Sequence, residues 1–304
     1  MKLTSTARRR YWLRALEGYA FVSLALIGIT LFQVGPMLAS LGLSFTEYQL
    51  VRPPRYIGVA NFQRLFTDPL FWKSLWNTVY YVAVGLPLRL VIAFLAALLL
   101  NQRLRGIGAF RTIYYIPSVT AGVAISIVWT YVYDPEYGLM NYVLSWFGIQ
   151  GPAWLGSPEW AMPALIIMSF WQLGVPMLIF LAGLQNIPTH LYEAAALDGA
   201  GVIQRVRYVT IPLLTPLIFF NLVMGVISSF QVFTQVFIMT GGGPLHSTLV
   251  YVLYLYNQSF LWFRMGVGSA MAWILFIIIF TLTLIQFRFS KWVYYEGDLG
   301  GRGN

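Results

Sequence analysis

The sequence predicts an all-α, polytopic membrane protein with six transmembrane helices. Hydrophobic residues make up 59% of the 304-residue chain and charged residues 10%, with a mean hydropathy of +0.70, well beyond a soluble domain. The apolar residues gather into six runs, each long enough to cross about 30 Å of hydrocarbon as roughly 20 residues of helix. Within each run they are continuous rather than alternating. That is the pattern of a helix whose backbone is paired internally, not of a barrel strand.

The runs lie at about 19–43, 77–100, 112–133, 161–185, 213–240 and 265–287. The first follows Lys2, Arg8, Arg9, Arg10 and Arg14, a positive start like that of a signal peptide. It is too long for a signal core and has no convincing small-residue cleavage site, so it reads as a retained span. The segment 44–76 carries Asn61, Phe62, Phe66, Phe71 and Trp72, a spacing that predicts a short helix at the membrane interface. The loop 134–160 holds Trp146, Trp154 and Trp160, typical interfacial anchors, and Gly241-Gly242-Gly243-Pro244 predicts a sharp stop to the fifth span. No internal repeat or linker divides the chain, which reads as one domain.

Charge asymmetry sets the orientation. With the N-terminus inside, the inner segments carry the N-terminal arginines, Arg103, Arg105, Arg111, Arg205, Arg207, Arg288, Lys291 and Arg302. The outer ones carry only Arg52, Arg55, Arg64, Lys73 and Arg264. Both termini are therefore expected in the cytoplasm. The net charge of +9 reads as topogenic rather than as a nucleic-acid surface. The absence of cysteine removes disulfides and thiolate metal sites.

One polar island stands out, the inner loop 186–212 with Tyr192-Glu193-Ala194-Ala195-Ala196-Leu197-Asp198-Gly199. Thr189 is placed to cap a helix there, Glu193 falls near its first turn, where the helix dipole favours a carboxylate, and Gly199 and Gly201 end it. A second short helix with Arg205 and Arg207 follows, ended by Pro212. An ordinary amphipathic helix on the membrane is the plain alternative, but a face made mostly of alanine anchors weakly. Elsewhere the chain offers little chemistry. Its three lysines lack the glycine of a phosphate loop, and the triple glycine at 241–243 lacks a lysine. His190 and His246 fall on opposite sides of the membrane, and Asp134 and Glu136 sit in a solvated loop. Arg89 lies near the middle of the second span, where a charge is costly. Its readings are a partner on a neighbouring span, a snorkelling head, or a pathway or subunit-interface residue. Asn221, Ser228, Gln231 and Gln235 in the fifth span, with Trp129, Trp171 and Gln172, are candidates to line a path for a hydroxyl-rich solute. Helix-packing roles are as good a reading of the polar ones.

Glu193-Ala194-Ala195, Asp198-Gly199-Ala200 and Ile211-Pro212-Leu213 resemble the EAA loop of permease subunits in bacterial ABC importers. Asn61-Phe62 to Asn77-Thr78 and Tyr115-Ile116-Pro117 with Trp129 also match that family, and Phe233 to Pro244 with Ser247-Thr248 is similar to its sugar-permease branch. The resemblance implies a MetI-like, type I importer fold of the compact six-span kind, in a bacterial or archaeal cytoplasmic membrane. It implies a second homologous permease as partner, two cytoplasmic ATPase subunits that hold the ATP and magnesium, an extracytoplasmic solute-binding protein, and no cofactor on this chain. Glu193 would be the charged contact to the ATPase, Ala194 and Ala195 the close-fitting face, Gly199 the turn, with Asp198 beside it. The implied cargo is a mono-, di- or oligosaccharide, a polyol or glycerol phosphate. The alternatives are an importer of another solute class and an ion-coupled secondary transporter. The latter wants acidic residues inside the spans, and none of the ten sits mid-span.

Overall fold

The computed structural model describes residues 5–102 and 105–293, without the side chains of residues 5–15 and Glu17. Of the basic residues that set the expected orientation, Lys2, Arg103 and Arg302 and the side chains of Arg8, Arg9, Arg10 and Arg14 lie outside the described residues. Helices α1 (Ser5–Ile29) and α2 (Gly35–Ser44) are joined by a π turn. A short antiparallel hairpin, β1 (Thr46–Glu47) with β2 (Arg55–Tyr56), leads to α3 (Ala60–Thr67) and α4 (Pro69–Tyr80). Then come α5 (Leu86–Leu100), α6 (Ile107–Val119), α7 (Gly122–Val132), α8 (Leu139–Ser145), α9 (Ala161–Ser169) and α10 (Gly174–Asn186). The chain continues through α11 (Thr189–Leu197), α12 (Val202–Arg205), α13 (Ile211–Phe230), α14 (Thr234–Met239), α15 (Tyr251–Tyr256) and α16 (Met265–Arg288).

Four helical runs are long and apolar enough to cross a membrane: Gly18–Ser44, Pro69–Leu100, Val202–Met239 and Met265–Arg288. Two bent pairs make six if each is one span. These helices overlap the six apolar runs, but those over the third and fourth runs are not straight. α6 and α7 meet at 102° and α9 and α10 at 45°. In the first pair Pro117 removes a helical hydrogen bond, and Thr120 then turns extended, with φ −79° and ψ 142°. In the second, a 3₁₀ turn over Phe170–Gln172 intervenes. The second span also starts further out than expected. Asp68 caps α4 by accepting from the Leu70 N–H at 2.9 Å, with Pro69 in the first turn, where its missing N–H costs nothing.

Two compact units are distinguished, Met1–Thr67 with Asn257–Ile274, and Asp68–Tyr256 with Leu275–Asn304. In the first, the buried Asn61 side chain donates to the Ser44 and Thr46 carbonyls at 2.8 and 2.9 Å and closes α3 onto the hairpin. Trp273 donates from Nε1 to Ser40 Oγ at 3.1 Å. In the second, Ala93, Ala96 and Ala97 of α5 let α10 approach closely through Met177, Phe180 and Leu184, and Leu214 of α13 completes the core. Phe94 meets Phe180 edge-on at 5.7 Å. The Gly241–Pro244 turn, cis at Gly243–Pro244, is left-handed at Gly241 and Gly242, with φ 57° and 91°. Thr248 Oγ1 donates to the Gly243 carbonyl at 2.7 Å across it. α15 then folds back on α4, where Thr78 Oγ1 accepts from the Tyr251 N–H at 2.8 Å and Tyr254 donates to Asp68.

Asn77 holds this return in place. Its buried Nδ2 donates to the carbonyls of His246 and Leu249 at 2.9 and 3.0 Å. Asn77→Ala leaves two acceptors bare and is expected to cost about 2 kcal/mol, read as a lower thermal midpoint of the detergent-purified protein.

Candidate functional site

The 186–212 loop is built on one tight joint. α11 ends in a left-handed Gly199, φ +81°, with the Gly199 N–H on the Ala196 carbonyl at 3.1 Å and the Ala200 N–H on the Ala195 carbonyl at 2.9 Å. This is the Schellman arrangement, and a side chain at Gly199 would strain it. α12 opens at once from Gly201, whose N–H is accepted by Gln204 Oε1 at 2.7 Å. Two expectations change here. Thr189 lies inside α11 and gives no side-chain cap; Pro188 precedes the helix in an extended conformation. Nor does Pro212 end a separate helix. α12 runs through a π turn, Val206–Thr210, straight into α13, with Pro212 in the first turn of α13. The π turn changes the pairing register just ahead of the residue that has no N–H to offer. Tyr192 and Thr210 close the joint from the other side, hydroxyl to hydroxyl at 3.0 Å, with Thr210 buried.

Leu191 and Tyr192 pack onto the α5–α10 core. The opposite face of α11 is open. Glu193, Ala194, Ala196 and Asp198 are exposed and Ala195 is half-buried. No ion pair or hydrogen bond engages the Glu193 or Asp198 side chain among the described residues. Leu197, Val202 and Ile203 stand 90%, 69% and 83% exposed beside them. Leu197 is part of the helix expected from the sequence, whereas Val202 and Ile203 were given no role there. Their signal was large apolar side chains flanking a glycine joint.

Within the spans, the structure brings Trp129 and Trp171 together, ring centroids 5.8 Å apart at 77°, with Trp171 52% exposed. Trp129 also meets Tyr133 at 5.1 Å, and Tyr133 meets Trp154 at 5.5 Å, both pairs tilted. Gln172 is half-buried in the 3₁₀ turn next to Trp171. The fifth-span candidates separate. Asn221 is buried and donates to the Leu217 carbonyl of its own helix at 3.0 Å, and Ser228 donates back to Gly225 at 3.2 Å. Both bonds stay within α13, and Ser228 is exposed. Gln231 is exposed where α13 breaks, and Gln235 is half-buried on α14, which packs against α7. Arg89, half-buried, donates from Nη2 to Ser229 Oγ at 3.2 Å, and its Nε is buried with no partner.

The outer-loop acids are held by local turns. Asp134 Oδ1 accepts from the Glu136 and Tyr137 N–H groups at 2.9 and 2.8 Å. Ser157 donates to Glu159 Oε2 at 2.6 Å and keeps that exposed carboxyl below its usual range. His190 and His246 are both exposed, and no cluster of metal-ligating side chains occurs among the described residues.

An unpaired carboxylate on a short exposed helix, joined through α12 and a π turn to α13, is set in a chain whose residues 74–294 match the model of the binding-protein-dependent transport system inner membrane component family. The chain belongs to that family. Its relatives agree along their length. A probable ABC transporter permease protein, YesP of Bacillus subtilis, is 47% identical over 287 residues, 92% of the permease and 93% of YesP. The lactose transport system permease protein LacF of Rhizobium radiobacter is 36% identical over 93% of the permease and 96% of LacF. Among solved structures, a bacterial ABC transporter involved in the import of the acidic polysaccharide alginate superposes with a TM-score of 0.82 at 25% identity. The match covers 94% of the permease and 100% of that chain. The MetI-like permease fold and the transport role therefore stand. Family membership makes this permease an inner membrane component of an importer.

Proposed function

We propose that the permease serves a carbohydrate importer, as one of two homologous membrane subunits, and that it is driven through its 186–212 loop by cytoplasmic ATPase subunits that hold ATP and magnesium. A solute-binding protein would deliver the sugar to the outer segments. The observation that carries the cargo is the full-length relatedness to a lactose permease, with the alginate importer as a second carbohydrate case. In the loop, the free Glu193 beside the exposed Leu197, Val202 and Ile203 gives a charged and apolar surface fit for a protein groove. Closure of the ATPases would carry α11 with them and switch the spans between inward- and outward-facing states. Trp171 and Trp129 offer aromatic faces on which sugar rings stack.

The test is a reconstitution. The permease is purified with its co-assembling subunits, and the associated binding protein is screened by thermal shift against sugars, polyols, glycerol phosphate, amino acids and peptides. Stabilisation by a carbohydrate, followed by ATP-dependent uptake of that compound into liposomes, is the expected result. Stabilisation only by an amino acid or peptide would replace the cargo and leave the transport mechanism standing.

A further inference from the structure

Arg89 sits on α5 eleven residues before Leu100, about 16 Å along the helix from its inner end. It lies inside the apolar helical run Pro69–Leu100, where a charge is costly. Polar groups from three spans converge on it. Ser229 of α13 accepts its one protein hydrogen bond. Tyr81, in the π turn ahead of α5, lies in the field of the guanidinium, and beside it is Ser169 of α9, which donates to the Ile166 carbonyl at 2.6 Å. Tyr81, Ser169 and Ser229 are 7%, 5% and 5% exposed. The cluster therefore holds a fixed positive charge among hydroxyls and contains no carboxylate. The one ion pair among the described residues joins Arg55 and Glu47, on the hairpin.

A guanidinium carries five N–H donors, and here the 3.2 Å bond to Ser229 uses one of them while Nε is buried without a partner. A charge kept in such a run with its fork unfilled is a functional feature before it is a packing one. The planar fork matches a carboxylate, phosphate or sulfonate, which accept two N–H groups side by side. We propose that Arg89, with Ser229 and Tyr81 around it, is the point where an anionic group on the transported sugar is bound as it crosses the membrane. The permease then handles an acidic saccharide, such as a uronic-acid oligosaccharide or a sugar or polyol phosphate. This rests on the carbohydrate reading above.

The experiment has two stages. The binding protein of the assembled complex is first titrated with digalacturonate, a glucuronate-ended disaccharide and glycerol phosphate, and with lactose and maltose as neutral counterparts. Binding of an acidic probe is expected. Binding of neutral sugars alone overturns the role of Arg89 but leaves the carbohydrate reading intact, and binding of no carbohydrate overturns that reading itself. Uptake is then measured in liposomes for the acidic probe and its carboxyl-reduced neutral form. Arg89→Gln is expected to lower uptake of the acidic probe about tenfold or more while the neutral form is unchanged, and Arg89→Lys to recover part of the loss. Equal loss of both probes would overturn the proposal and point to a carboxylate on the second permease as the counter-charge. Should Arg89→Gln fail to assemble, Arg89→Lys with Ser229→Ala keeps the charge and decides the same comparison.

Discussion

Glu193→Lys is expected to cut ATP-driven uptake about 30-fold or more, because reversing a charge at the centre of a protein contact costs at least about 2 kcal/mol. The spans should remain folded. Glu193 is exposed and has no partner within the described chain, so nothing in the fold depends on it. The pairing of large functional and small structural effect is what distinguishes a docking residue from a packing one. The measurement is uptake and binding-protein-stimulated ATP hydrolysis in liposomes, with helicity and thermal midpoint as controls. Full uptake with normal stimulation would remove Glu193 from the contact. A lost thermal midpoint would make it a folding residue instead.

Gly174→Val should prevent the third and fourth spans from packing. A Cβ at this position would stand 2.4 Å from Ser118 Oγ, 2.6 Å from the Tyr114 carbonyl oxygen and 3.0 Å from the Tyr115 Cα. Two of those atoms are backbone, so no rotamer change relieves the clash, and α6 itself must move away from α10. Overpacking of this kind costs about 1–3 kcal/mol where side chains can yield, and here it adds to displacement of a bent span. The expected result is little or no assembled protein after solubilisation. Gly108→Val on the same helix α6 is the control, since a Cβ there meets nothing within 4 Å. Equal yields from the two variants would show that the close approach at Gly174 is dispensable.

The two substitutions mark what a reader of the sequence could and could not see. The apolar helices were legible because continuous apolar runs have one solution in a bilayer. The 102° bend between α6 and α7 was not, although Pro117 and Gly122 lie beside it. Both residues also occur in straight membrane helices, where neighbours repair the backbone. The non-helical Thr120 and Ala121 between them make the break. The inner loop was legible through Glu193 and Gly199, a carboxylate and a left-handed turn in an apolar setting. Its continuity with the fifth span was hidden by Pro212, which reads as a stop unless a π turn precedes it. The asparagines Asn61 and Asn77 resembled family positions, yet their work is to clamp carbonyls far away in sequence, and spacing along the chain carries no sign of that. Arg89 stood out at once by its cost, but the hydroxyls gathered around it come from three different spans.

The joint at Gly199 has a mechanical consequence. Two stiff rods, α11 and the run from Val202 to Phe230, meet at a corner only a few residues wide. Such a corner alone would flex like an elbow. The Tyr192–Thr210 bond ties the first half of α11 to the end of the π turn and braces the elbow against folding. Whatever pushes on the tip of α11 is felt as a swing of the whole longer rod, about 43 Å from Val202 to Phe230 at the helical rise. A tilt too small to notice at Glu193 becomes a displacement of ångströms at the far end, beside Gln231.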